Sequence, residues 1–354
     1  VFPLLIINCA FSTLSCVLIF GTLRRLIDEK SAFFGFLLGI GSFGLSPWAA
    51  VPYSDSVGLI FPILILYIYI RPACGRVKSV CRYFLITMLS VIGYMIKPQI
   101  AIMLIAIILM EFVYAFKDKS KKLIVKKGII LVMGIAVSLT VFKCADFIYE
   151  KEGFVLNKEL SIGMTHFLKM GLNESNGVYS REDVDVSTGI VTRKERNRVN
   201  FDICKDRLEA FGVKGYLGHL WKKILVNYND GTFAWGVEGG HFKKIYKAPD
   251  NKAAPLLRSI YYMDGKNHIK WGTYAQAVWL LILLLCFCAG LGRVNDDNQK
   301  IYSVIFLAII GLTAFELLFE ARARYLYTYV PVYCILAGIG AKKIINACEI
   351  FYRR

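Results

Sequence analysis

The chain has 354 residues, of which 56% are hydrophobic and only 19% are charged, and its mean hydropathy is +0.52. This composition excludes an ordinary soluble domain and favours a membrane protein. The formal net charge of +17 would suit a nucleic-acid-binding protein. The basic residues, however, lie in short loops or are interleaved with Asp and Glu, so we expect no nucleic-acid partner.

The hydrophobic residues are gathered into runs of about 15 to 22 residues, close to the ~20 that an α-helix needs to cross the hydrocarbon core of a bilayer. Runs such as 128–142 and 277–291 are apolar on nearly every face, which excludes the alternating strands of a membrane β-barrel. The sequence therefore predicts an all-α polytopic membrane protein. The predicted spans, about nine in number, are 1–20, 32–50, 57–70, 83–97, 99–116, 128–147, 273–291, 301–319 and 325–346.

A long hydrophilic segment separates two groups of spans. Residues 1–147 are predicted to form an N-terminal transmembrane part, residues 148–271 a soluble insert, and residues 272–354 a C-terminal transmembrane part. Basic residues recur in the short loops between spans, and the positive-inside rule assigns such loops to the cytoplasm. The insert is therefore predicted to be extracytoplasmic.

The insert is predicted to be mostly helical or mixed. In its second half, apolar residues recur at helical spacing, which indicates an amphipathic helix. The apolar positions are Val213, Tyr216, Leu217, Leu220, Trp221, Ile224 and Leu225, with Lys214, Lys222 and Lys223 on the other side. This helix either lies on the membrane surface or packs its apolar face against the core of the insert.

A polar loop between two hydrophobic segments contains Asp55, which is flanked by Ser54 and Ser56. As a carboxylate near the membrane boundary, Asp55 could act as a base, bind a cation or orient an acceptor hydroxyl. The alternative is that Asp55 caps the helix that begins near Ser56, a common use of aspartate. The sequence leaves both interpretations open.

Three basic residues lie at the predicted outer ends of spans, namely Lys97, Arg322 and Arg324. Ionisable groups at membrane depth are costly and commonly functional. The two guanidinium groups could bind a phosphate or diphosphate through paired hydrogen bonds, with Lys97 as a point charge. The alternative is that the arginines extend to lipid headgroups or pair with Glu316 or Glu320.

Two further patterns lack the context that their chemistry requires. Residues 39–44 match G-x-G-x-x-G, yet they lie inside a hydrophobic span with no preceding strand, so we reject dinucleotide binding. The four His residues, at positions 166, 219, 241 and 268, lie far apart without metal-ligand spacing, so we predict no metal site.

Three short segments lie at the predicted outer face. In chain order they are PYSDS at 52–56, GYMIKP at 93–98 and EARARYL at 320–326. In this order they resemble the C-type (GT-C) membrane glycosyltransferases of bacteria. The chain is most similar to the group of protein O-mannosyltransferases and lipid A aminoarabinose transferases. The resemblance covers roughly 30–116 and 300–346, and it rests on the order of the segments because each segment alone is a weak signal.

The resemblance implies that a sugar moves from a polyprenyl phosphate to a cell-surface glycan or protein, at the outer face of a bacterial plasma membrane. It implies that Lys97, Arg322 and Arg324 bind the donor phosphate and that Asp55 supports the site. No cofactor is certain, although a divalent cation is compatible with such a site. The principal acidic residue of the family normally follows the first span, and because the chain starts at Val1, we expect that loop in a missing N-terminal portion.

Two other classes of function are alternatives. A surface-polysaccharide polymerase or ligase also uses a large outer loop and arginines against a lipid diphosphate. A transporter or flippase of lipid-linked glycans would be expected to show internal repeats and broken helices at the bilayer midplane. The sequence shows no repeat, and its ionisable residues lie at the predicted outer boundary.

Overall fold

The computed structural model describes residues 2–72, 76–117, 121–154, 157–245, 253–291 and 298–352, and every regular element in these ranges is a helix. The all-α prediction is therefore confirmed. The helices are α1 (Phe2–Leu26), α2 (Glu29–Gly39), α3 (Ser54–Gly58), α4 (Ile60–Ile70), α5 (Arg76–Ile96), α6 (Ala101–Lys117), α7 (Lys121–Lys151), α8 (Met164–Gly171), α9 (Arg181–Gly189), α10 (Arg193–Tyr228), α11 (Trp235–Ile245), α12 (Ala253–Tyr261), α13 (His268–Gly290), α14 (Gln299–Leu318) and α15 (Val330–Tyr352).

Six helices in the described part of the chain are long and apolar enough to cross a membrane. They coincide with six of the predicted spans. These candidate spans are Phe2–Leu26, Val77–Ile96, Pro98–Lys117, Val132–Lys151, His268–Gly290 and Gln299–Leu318. Hydropathy located them correctly because each is a single uninterrupted apolar run.

The three other predicted spans take different forms. The run 32–50 is broken: α2 passes into a π-helical turn at Ile40–Gly44, and a 3₁₀ turn follows at Pro47–Ala50. The run 57–70 belongs to a shorter apolar helical stretch, Ser54–Ile70. The run 325–346 begins as a 3₁₀ segment, Ala323–Tyr329, and continues as α15, which carries two lysines in its second half. Prolines, glycines and local changes of helix type thus break or shorten these three runs, and an average over hydropathy does not detect such breaks.

The chain divides into two compact units. The first consists of Val1–Ile135, Asp230–Gly311 and Leu326–Arg354, and the second of Ala136–Asn229 and Leu312–Tyr325. These boundaries differ from the predicted segments 1–147, 148–271 and 272–354. Residues from Asp230 onward, which the prediction assigned to the insert, pack within the first unit.

Helix α15 forms the centre of the first unit, where it packs against α13, α2, α1 and α4. Every residue from Val330 to Gly340 is buried. The contact with α13 is close enough that a Cβ atom at Gly340 would collide with the carbonyl oxygen of Leu285. Small residues permit this approach of two helices, as is common within membranes.

The second unit packs α8, α9 and α10 together. Helix α10 contains a break at Gly212, whose backbone angles are φ 55° and ψ 178°, so it consists of two helical segments, 193–211 and 213–228. The positive φ is one that glycine adopts without strain. The buried positions of α10 are mostly polar, namely Arg196, Asn200, Cys204, His219, Lys223 and Asn227.

A buried serine links the three helices of the second unit. The Lys169 ammonium on α8 donates to the Ser187 hydroxyl on α9 at 3.1 Å, and that hydroxyl donates to Asn200 Oδ1 on α10 at 3.0 Å. Nδ1 of His166 lies 2.7 Å from the same hydroxyl oxygen. With the hydroxyl proton directed to Asn200, His166 Nδ1 acts as a donor, which requires a neutral ring with the proton on Nδ1 or a charged ring.

The pKa of His166 lies below its usual 6.5, first because burial disfavours the charged ring and second because the Lys169 ammonium is near; Asp183 opposes both effects. The unfolded chain therefore binds more protons than the folded chain as the pH falls from 6.5 toward the lowered pKa. We expect the second unit to lose stability over that window and to be insensitive to this group above it. Amide hydrogen exchange of α8–α10, corrected for the intrinsic rate at each pH, measures the loss.

His166→Asn should reduce this acid sensitivity, whereas replacement of the exposed His241 by asparagine should leave it unchanged. Equal acid sensitivity in the wild type and His166→Asn would show that another group is responsible.

Candidate functional site

The structure brings Asp55 and Lys97 together in the first unit. Asp55 lies in the first turn of α3, and Lys97 lies between α5 and a 3₁₀ turn, Pro98–Ile100. Oδ1 of Asp55 forms an ion pair with Nζ of Lys97, and both side chains are buried. These two residues are separated by a complete helical hairpin in the sequence, so the pair ties α3 to the end of α5.

The capping interpretation of Asp55 is wrong. The residue that precedes α3 is Tyr53, and its side chain makes no capping hydrogen bond. Asp55 lies inside the helix, one residue after its start, and its carboxylate is directed to Lys97. A carboxylate in the first helical turn is also favoured by the helix dipole, but the ion pair is what distinguishes this residue.

Trp48 fixes the loop that leads to Asp55. The indole Nε1 of Trp48 donates to the carbonyl oxygens of Phe233 at 3.0 Å and Thr232 at 3.3 Å. The backbone carbonyl oxygen of Trp48 accepts a hydrogen bond of 2.7 Å from the Ser56 hydroxyl. Trp235 packs edge-on against the Trp48 ring at 5.1 Å between centroids. Trp48 is completely buried, so its bond to Ser56 connects the residue next to Asp55 to a buried ring.

The turn after Lys97 is also fixed by hydrogen bonds. The backbone N–H of Lys97 donates to Gly93 O at 2.7 Å, which closes the end of α5. The side-chain amide of Gln99 donates to the Thr328 hydroxyl at 2.9 Å, and the Tyr329 hydroxyl donates to Gln99 O at 3.0 Å. These bonds join the Lys-Pro turn to the 3₁₀ segment ahead of α15.

Arg322 and Arg324 lie in the second unit. Nη2 of Arg322 lies 3.3 Å from Oε1 of Glu320, and the guanidinium carbon of Arg322 lies 6.0 Å from the centroid of the Tyr179 ring. The predicted alternative of pairing with Glu320 is therefore confirmed for Arg322. Arg324 is buried, with its guanidinium 5.7 Å from the Tyr325 ring centroid, so extension to lipid headgroups is wrong for this residue. Whether these arginines share a site with Lys97 stays a prediction.

The residue that holds the arginine-bearing segment in place was not predicted from the sequence. Lys223 on α10 is completely buried, and its ammonium donates to the carbonyl oxygens of Gly171, Leu317 and Phe319 at 2.9, 2.7 and 2.6 Å. Leu317 lies in the last turn of α14, where helical carbonyls lack partners within the helix, and Phe319 directly follows that helix. Burial lowers the pKa of Lys223 to about 8, and Glu316 opposes this shift.

The pattern of α10 contains a signal for Lys223. His219, Lys223 and Asn227 recur at intervals of four, so they share one face of the helix. All three are buried, and His219 Nε2 lies 2.9 Å from Gly171 O, the same carbonyl oxygen that Lys223 contacts. Lys223 lies on the side opposite the exposed apolar residues, as predicted, and that polar side is the buried face of this helical segment.

The described residues contain no dedicated cluster of metal ligands. Within them, no group of three or more His, Cys, Asp or Glu side chains could hold a metal ion. The carboxylate of Asp55 already faces an ammonium group, which competes with a cation for the same oxygen. The G-x-G-x-x-G residues lie at the end of α2 and in the π-helical turn, so they do not form a strand-to-helix phosphate loop.

The six candidate spans and the all-helical architecture define a multi-pass membrane protein of the α-helical class. Within this class, residues 4–345 match the family described as "Conserved hypothetical integral membrane protein", and the chain belongs to that family. No curated protein and no solved structure matches the chain.

Proposed function

We propose that this chain is a glycosyltransferase that moves a sugar from a polyprenyl phosphate to a cell-surface acceptor, at the extracytoplasmic face of a bacterial plasma membrane. The observation that carries the proposal is the buried Asp55–Lys97 ion pair. Two ionised groups in a membrane protein lose hydration that their mutual attraction only partly restores. Apolar residues often stabilise such a buried position at least as well, so a buried ion pair here favours a chemical role.

The proposed reaction places these groups in distinct roles. The acceptor hydroxyl oxygen attacks the anomeric carbon of the donor sugar, and the bond from that carbon to the phosphate oxygen breaks. The hydroxyl proton passes to a carboxylate, and the electron pair of the broken bond stays on the lipid phosphate. Lys97 stabilises the leaving phosphate by its positive charge. Asp55 supports the site by holding the Lys97 ammonium in place.

The proposal keeps Arg322 and Arg324 as further phosphate-binding residues. A guanidinium group presents paired donors that match phosphate oxygens. The backbone just before Arg322 is held by two hydrogen bonds: the Lys223 ammonium donates to Phe319 O at 2.6 Å, and the Ala321 N–H donates to Gly177 O at 2.7 Å. Such anchoring favours binding because less conformational freedom is lost when the ligand arrives.

The test is sugar transfer by the full chain in lipid nanodiscs, with polyprenyl-phosphate sugars and nucleotide sugars offered separately. We expect transfer from the lipid donor alone, and a loss of about 10²- to 10³-fold in Arg324→Ala. The matched control is Arg198→Ala, which removes an exposed arginine of the second unit. Three results would overturn the proposal: use of the nucleotide sugar alone, full activity of Arg324→Ala, or movement of the lipid donor between leaflets without transfer.

A further inference from the structure

The second segment of α10, residues 213–228, is amphipathic, but its polar face is buried and its apolar face is exposed. A helix of a soluble protein shows the reverse arrangement. It buries the polar residues His219, Lys223 and Asn227. It exposes an apolar stripe, which we define as Val213, Leu217, Trp221 and Leu225, with exposed fractions of 82%, 61%, 62% and 48%. These four residues therefore do not pack against the insert's own core, whereas Tyr216, Leu220 and Ile224 of the predicted apolar face are half-buried.

The apolar stripe is continuous along the helix. Its members recur every four residues, so their side chains stand one above another on the same face. Single exposed apolar side chains are ordinary, but a contiguous row that contains an exposed tryptophan indicates a surface that is covered by an apolar phase or a partner.

The contacts of the same helical segment with a candidate membrane span indicate its depth relative to the bilayer. Lys223 donates to Leu317 O and Phe319 O, which lie at the end of α14, a candidate membrane span. The Tyr228 hydroxyl lies 2.6 Å from the hydroxyl oxygen of Thr313, five residues before that end. The end of a transmembrane helix lies near the boundary between hydrocarbon and headgroups. The C-terminal half of this segment, from Lys223 to Tyr228, therefore lies at that boundary.

The residues beside the apolar stripe fit a headgroup layer. Lys214 and Lys222 are exposed, and long lysine side chains extend a charged group toward phosphates while their methylene chains contact apolar surface. Tryptophan prefers the same layer because its ring is apolar and its indole N–H needs a polar partner. An apolar stripe with a tryptophan and flanking lysines is the pattern of helices that lie in the plane of the interface.

We propose that residues 213–228 form an interfacial anchor, whose apolar stripe inserts between headgroups and acyl chains of the leaflet in which α14 ends. The occupant of the stripe is the phospholipid bilayer, with Lys214 and Lys222 directed to lipid phosphates. The anchor does not depend on the proposed transferase activity. It holds the second unit against the membrane surface through a contact separate from its covalent connections.

The test uses the fluorescence of Trp221, measured as the difference between the wild-type chain and Trp221→Phe in nanodiscs. We expect that phospholipids brominated in the upper part of the acyl chains lower this difference at least about twofold, because the ring lies within reach of the bromine atoms. Iodide in the aqueous phase should have little effect. The control is Arg181→Trp in the Trp221→Phe background, which moves the tryptophan to an exposed charged position on α9.

We expect the tryptophan at position 181 to be quenched by iodide and not by brominated lipid. Quenching of Trp221 by iodide alone would overturn the anchor by showing that the stripe faces water. Protection of Trp221 from both quenchers would also overturn it, because the stripe would then be covered by protein, such as a second copy of the chain. Neither variant removes a buried contact, so both are expected to fold.

Discussion

Lys97→Ala is expected to lower the rate of sugar transfer by about 10²- to 10³-fold, the usual effect of removing a group that stabilises charge in a transition state. The substitution removes the cation assigned to the leaving phosphate, and it also deprives the buried Asp55 carboxylate of the Lys97 ammonium. The rate with the polyprenyl-phosphate donor, measured in nanodiscs beside an assay of folding, checks the prediction. Lys97→Arg keeps the charge and should retain part of the activity.

A paired variant separates chemistry from stability. Removal of one member of a buried ion pair costs about 3–5 kcal/mol, whereas replacement of both members by neutral groups is much less costly. We therefore expect Asp55→Asn/Lys97→Met to be more stable than Lys97→Ala and still inactive. Recovery of transfer in the double variant would show that the pair is only structural, and the assignment of Lys97 to the phosphate would fail.

The candidate site illustrates what a sequence can and cannot predict. Asp55 and Lys97 were identifiable because a charged residue beside a hydrophobic run is unusual whatever the fold. Their direct pairing was not predicted, because it depends on how α3 meets the end of α5. The role of Trp48 was also missed: it depends on hydrogen bonds to Thr232 and Phe233, far along the chain.

For the fold as well, features that depend on local sequence were predicted, and features that depend on local geometry or tertiary contacts were not. Uninterrupted apolar runs gave six of the candidate spans, since length and hydropathy are local properties. The break of 32–50 into α2, a π-helical turn and a 3₁₀ turn depends on local geometry that an average over residues conceals. For residues 213–228, the sequence predicted the helix correctly but left its orientation open, because only tertiary contacts decide which face is buried.

Asp183→Ala is expected to destabilise the second unit by about 3–5 kcal/mol, the cost of removing one partner of a buried ion pair. The Asp183 carboxylate accepts two hydrogen bonds from Arg207, at 2.9 and 3.0 Å, and Nζ of the buried Lys169 lies 3.7 Å from it. Loss of the carboxylate leaves two neighbouring cations without this compensation. Amide hydrogen exchange of α8–α10 in the full chain measures the effect as a fall in protection.

Asp185→Ala is the matched control, because it removes another aspartate of α9 that is paired with an arginine at the same distance. The Arg181–Asp185 pair and the Arg207–Asp183 pair both have a nitrogen–oxygen distance of 2.9 Å. Their side chains differ in exposure, at 77% and 58% in the first pair against 28% and 4% in the second. Water and salt screen the exposed pair, so its removal should cost only about 0–1 kcal/mol.

The comparison of the two aspartates tests whether burial or contact distance determines the strength of these ion pairs. If distance decided, the two substitutions would destabilise the second unit equally. If burial decides, only Asp183→Ala reduces protection across α8, α9 and α10, because its carboxylate joins Arg207 of α10 to α9 and lies beside Lys169 of α8. Equal effects would also undermine the Asp55–Lys97 argument, which assumes that a buried ion pair differs in energy from an exposed one.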